Sequence, residues 1–183
     1  MCIRDSIDAV SFRSYSGSSH FVCDWYIVNT GDVPSGTPCK TWLGDVSVRA
    51  LVPSGNGASS GLTGSDSNQT DNYLLVDEVP PSSTDYTGAA VGGGLKDTYT
   101  LADLPGSVTA VLGVQVSASM AKSDAGEGTA QVVTRVGGTD YNPDTATLTT
   151  SYAETAKLWT ADPAGSAWTT SAVNAMEIGV LVP

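Results

Sequence analysis

From Val108 to Met120 every second residue is apolar: Val108, Ala110, Leu112, Val114, Val116, Ala118 and Met120. The positions between them are mostly small or polar, among them Thr109, Gln115, Ser117 and Ser119. Side chains alternate across a strand, so this pattern predicts one long strand with a core face and a solvent face. Taken from Ser107 to Lys122, at about 3.3 Å per residue, it would run about 45–50 Å. The turn-rich stretch Ser123-Asp124-Ala125-Gly126-Glu127-Gly128 follows, and Ala130, Val132, Thr134 and Val136 resume the alternation. The expectation is a β-hairpin around which the chain is built.

Other alternating runs predict further strands. Ile7 to Phe12 is short, and His20 to Val28 is apolar on both faces, as a strand inside a sandwich would be. Asp45 to Val52 places Val46, Val48, Ala50 and Val52 on one face and is expected to open the main unit. Tyr73 to Val76, Asp97 to Leu101, Ala146 to Thr150, Tyr152 to Thr160 and the run Met176, Ile178, Val180, Val182 complete the set. Pro53 to Asp71, rich in Gly, Ser and Asn, reads as a loop, as does Gly137 to Asp144. Thr169 heads a stretch with capping residues that suits a single helical turn. No window keeps a 3.6-residue apolar period for long, so the chain is all-β: an antiparallel β-sandwich of jelly-roll type with about eight strands from Asp45 onward.

Composition sharpens this. With 183 residues, 20 Gly and 9 Pro, the chain suits one domain of short strands and turns, or one domain and a fragment. The formal net charge of −11 is uneven. Residues 1–42 hold three basic and four acidic groups, a balance of −1, while residues 43–183 hold five basic and fifteen acidic, a balance of −10. Such a surface repels phosphate backbones, which argues against nucleic acid as a partner. The longest apolar run is far below the length a membrane helix needs, so no membrane insertion is expected. Residues 1–6, Met-Cys-Ile-Arg-Asp-Ser, read as translated sequencing adapter, with the native N-terminus missing.

Candidate chemistry is sparse. Cys23 and Cys39 flank a turn-rich segment; a disulfide between them and two free thiols are both open. His20 is the single histidine, and with those cysteines it matches no usual zinc spacing. It also has no Gly-x-Ser-x-Gly partner for Ser-His-Asp chemistry. Gly92-Gly93-Gly94 is not followed by the Lys-Ser/Thr of a phosphate loop. No two carboxylates stand out as an acid and base pair. Asp66, Asp71 and Asp77, with Glu78 and Asp85 nearby, form a loose acidic cluster on loops; calcium takes such oxygen ligands, and plain solvated charge is the alternative. Trp159 and Trp168 are candidates for stacking on sugar rings; the alternative is packing, with Trp168 lying over the rim against Val173.

Several stretches carry a family resemblance: Trp42-Leu43-Gly44-Asp45-Val46-Ser47-Val48, "YLLVDEVPP" from Tyr73, Asp97-Thr98-Tyr99, and "LWTADPAGSAWTTSAVNAMEIGV" near the C-terminus. Together, over nearly all of residues 20–182, they resemble tailed-bacteriophage virion proteins, the tail, fibre or minor structural proteins of environmental phages. In that family the sandwich follows a laminin-G or concanavalin-like domain, whose last strand is similar to Phe21–Val28 here. Cys23 stands where the pattern often has its first Asp, and Asp24 keeps the second. The resemblance implies that residues 7–42 are the C-terminal remnant of a lectin-like sandwich and that 43–183 form the jelly-roll-like one. It implies a non-enzymatic structural or decoration protein on the virion surface, a homo-oligomer whose partners are other virion proteins, with no required cofactor. The alternative function is a glycan-binding module that attaches the particle to host or environmental surfaces.

Overall fold

The computed structural model describes residues 46–142 and 144–183. The expectations for residues 1–42, including the adapter, the lectin-like remnant and the Cys23–Cys39 pair, lie outside the described residues. Arg49–Pro183 forms one compact unit. Its strands in chain order are β1 (Pro53–Ser60), β2 (Thr63–Gly64), β3 (Thr87–Gly88), β4 (Leu95–Leu101), β5 (Val114–Met120), β6 (Thr129–Val136), β7 (Thr139–Tyr141), β8 (Thr145–Thr147), β9 (Ala153–Trp159) and β10 (Glu177–Val182). A 3-10 turn spans Asn72–Leu75, and one short helix, α1, spans Thr170–Asn174. Every pairing is antiparallel, so the all-β expectation stands.

The main sheet runs β1-β4-β10-β6-β7, with β8 also on β6. A second sheet is the ribbon β5–β9, and β2 pairs with β3. Between the main sheet and the ribbon lies the core, where Val116 and Met120 of β5 meet Ala130 and Val132 of β6. Trp168, Val173 and Met176 close it from the α1 side. Thr169 caps α1 as its residue type predicts, its side chain accepting a hydrogen bond from Ala172 N at 3.0 Å.

The expected hairpin does not form. β5 pairs with β9, whereas β6 takes β10, β7 and β8 as partners. The two alternating runs do meet, but face to face across the core rather than edge to edge. β10, with Ile178 and Val180 also turned to the core, takes the place beside β6. The long strand is also shorter than expected, since only Val114–Met120 is strand. Within those limits the alternation holds: Val116 and Met120 are buried while Gln115, Ser117 and Ser119 are exposed.

Other boundaries shift for local reasons. Residues 46–52 are not strand; the edge strand is Pro53–Ser60, inside the expected loop. Its covered positions are Pro53, Gly55, Gly57 and Ser59, small rather than apolar, because β1 lies tightly on its neighbours. A Cβ on Gly57 would stand 2.4 Å from Glu177 Oε2 and 2.6 Å from the Thr98 carbonyl carbon. Register shifts along β1 release main-chain donors that side chains then satisfy: Ala58 N donates to Glu177 Oε2 at 2.8 Å and Ser59 N to Thr98 Oγ1 at 3.0 Å. Tyr73 to Val76 is a 3-10 turn rather than a strand. Gly137 and Gly138, at φ +58° and +83°, make the two-residue turn that joins β6 to β7 where a loop was expected. On the outer face of the main sheet, Asp140 of β7 takes both Lys96 of β4 and Arg135 of β6, and Glu177 lies 3.7 Å from Arg135.

Candidate functional site

The two layers are unequal in width. At about 4.8 Å per strand, five strands abreast span about 19 Å between outer axes, against about 5 Å for the ribbon. The ribbon covers the β6 side, and the inner face near β4 and β10 opens into a groove of about 1180 Å³. Tyr99, Val180 and Val182 line its floor, residues 116–124 one wall, and the loop region 75–92 the other.

Its lining mixes apolar and acidic groups. Val79 and Val91 are 75% and 72% exposed, and Tyr86 and Tyr152 are 47% and 45% exposed. Among the described residues Glu78, Asp85, Asp124 and Glu127 bring carboxylates to the groove, while Glu154 borders it from the outer face of the ribbon. Lys122 is the one lysine or arginine among the lining residues, and its ammonium donates to the Gly126 carbonyl. Glu78 Oε2 is buried without a hydrogen-bond partner.

The loop wall is tied down by a buried knot centred on Asp97. This residue faces inward from β4, and none of it is exposed. Its Oδ1 accepts from Gly61 N and Leu62 N, both at 2.7 Å. Its Oδ2 accepts from Asn72 Nδ2 at 2.6 Å and from the Tyr99 hydroxyl at 3.0 Å. Asn72 Nδ2 also donates to Leu62 O, and the Tyr99 hydroxyl lies 3.2 Å from Thr87 Oγ1. One carboxyl group thereby joins β4 to the end of β1, the 3-10 turn and β3. Burial, reinforced by the neighbouring Asp97, pushes the Tyr99 phenol far above its ordinary pKa. The sequence carried a signal for this knot: Asp97 shares a strand face with Tyr99 and Leu101, so a carboxyl sits where the alternation places the core.

The residues singled out from sequence are placed differently. Trp168 is only 5% exposed and packs in the core with Val173, its Nε1 donating to Trp159 O at 3.0 Å. Trp159 is half-buried; its Nε1 donates to Thr134 Oγ1 at 3.0 Å, and Lys157 Nζ lies 5.4 Å from the ring centroid. Trp168 offers no open stacking face, whereas Trp159 packs partly against the core with Tyr141 edge-on to it at 6.4 Å. Asp66 accepts from Asn68 N and Nδ2, and Asp71 accepts from Asn56 Nδ2 at 3.3 Å. Asp66, Asp71 and Asp77 do not converge, and among the described residues no group of three or more His, Cys, Asp or Glu is placed to hold a metal. Asp66 instead stabilises its own loop, and Asp71 ties its turn to β1 through Asn56.

No family model, curated protein or solved structure matches the chain. The resemblance to phage virion proteins therefore rests on the residues that carry it.

Proposed function

We propose that this chain is a non-enzymatic structural protein of a tailed-phage virion, a surface decoration or appendage component that works by packing against copies of itself and other virion proteins. The observation that carries this reading is the β5–β9 ribbon. Among the described residues β5 and β9 pair only with each other, which leaves an open edge on each. β5 has no charged residue and no proline, the devices by which solitary proteins blunt an edge. The exposed face of the ribbon carries Gln115, Ser117, Ser119 and Ala156 beside Leu158, which is 59% exposed, with Glu154 at one end. The uncharged β5 edge, on an otherwise acidic chain, suits a contact that a neighbour completes.

The acidic balance keeps such a protein soluble before it assembles. We also read the sandwich as jelly-roll type; supporting this is the last strand, β10, lying between β4 and β6 while the first lies at the sheet edge. Attachment to glycans has less to stand on, since Trp168 is spent in the core.

Mass photometry with cryo-electron microscopy of the purified protein tests the reading. Closed rings, arrays or filaments are expected, and Ser117→Lys with Ser119→Lys should return folded monomers. A wild-type protein that stays monomeric at micromolar concentration overturns it.

A further inference from the structure

We infer that the inter-layer groove receives an extended segment of a neighbouring virion protein, one that alternates lysine or arginine with apolar residues. This rests on the assembly reading and names the chemistry of the partner. At about 1180 Å³ the groove has room for an extended segment. Charge points to a cation: among the described lining residues Glu78, Asp85, Asp124 and Glu127 supply four negative charges against the single positive charge of Lys122. The acceptors come from both walls, Glu78 and Asp85 on one and Asp124 on the other. Between the carboxylates, Val79, Val91, Tyr86 and Tyr152 stand open to take apolar side chains. An extended chain presents its side chains alternately to opposite sides, so cationic residues can reach one wall while apolar ones meet the floor.

The probe is a fluorescein-labelled octapeptide alternating Lys and Val, followed by anisotropy against the full chain. A Lys–Ser octapeptide carries the same charge without the apolar groups, and a Glu–Val octapeptide reverses the charge. The Lys–Val peptide should bind, and both comparison peptides should bind at least about tenfold more weakly. Its affinity should fall in about 1 M salt, where the screening length is about 3 Å. Glu78→Gln combined with Asp85→Asn and Glu127→Gln should weaken it about fivefold. Asp103→Asn, an exposed carboxylate outside the groove, should leave it unchanged. Equal binding of the Lys–Ser peptide, or indifference to the groove variants, overturns the inference. So does saturable binding of a neutral oligosaccharide that quenches tyrosine emission while the Lys–Val peptide fails. Mass photometry of the same samples separates the two readings. Peptide binding by a monomer leaves the groove standing and the self-assembly contact refuted, whereas assembly without peptide binding does the reverse.

Discussion

Removing the Asp97 carboxyl is the sharpest test of how the groove wall is held. Four donors converge on it: two main-chain N–H groups, the Asn72 amide and the Tyr99 hydroxyl. In Asp97→Ala the phenol can turn to Thr87, the amide keeps its bond to Leu62 O and Gly61 N keeps its bond to Lys96 O at 2.9 Å, but the N–H of Leu62 loses its acceptor and the Asn72 amide loses its charge-assisted one. Orphaning the buried Leu62 N–H costs about 1–3 kcal/mol and losing the charge-assisted bond from the Asn72 amide about 1.5–3 kcal/mol, so the substitution costs about 2.5–6 kcal/mol, with about 4 expected. That is a large share of the roughly 5–15 kcal/mol that holds a domain folded. Asp97→Asn keeps Oδ1 for both N–H groups but turns an amide toward Asn72 Nδ2, and should cost about 2 kcal/mol. In urea, with a slope of about 2 kcal/mol per molar, the midpoints should fall by about 2 M and 1 M. A double-mutant cycle with Asn72→Ala should give a coupling of about 1–2 kcal/mol. A loss below about 1 kcal/mol in Asp97→Ala would refute the reasoning, as would equal costs for the two substitutions.

Three further outcomes follow from the same geometry. Tyr99 has a raised pKa in the folded state, so its stabilisation is complete below the unfolded value of about 10 and is lost as pH rises beyond it, by up to about 1.4 kcal/mol per pH unit. Urea midpoints measured across that alkaline range should lose this slope in Tyr99→Phe, and a slope that persists there assigns it elsewhere. In Gly179→Ala the new Cβ would stand 1.9 Å from Asp97 O, main chain that cannot step aside, so the variant should be recovered unfolded or with its circular dichroism melt sharply lowered. Native-like melting of that variant refutes the close β4–β10 approach. Trp168→Ala should cost about 3–5 kcal/mol in urea, as loss of a buried core ring does; a near-neutral result with loss of glycan retention would instead restore Trp168 as a surface residue.

By itself the sequence determined the class of fold and the inner faces of its clearest strands. Val116 and Met120, Ala130 and Val132, and Ile178 and Val180 turn to the core as their period of two requires, and Thr169 starts its helix because a threonine side chain can accept from an orphan N–H. Period says which way a side chain points but not which strand lies beside it. Tertiary structure therefore decided that β5 and β6 oppose each other across the core while β9 and β10 take the adjacent places. It also decided that Pro53–Ser60 is a strand, since Gly55 and Gly57 are small to clear the neighbouring side chains, a need invisible without those neighbours. Trp168 illustrates the same limit, because a tryptophan near a turn reads alike whether its ring is covered or open. The groove belongs wholly to the tertiary level: it exists because two strands are laid over five, and no local stretch encodes the difference in width.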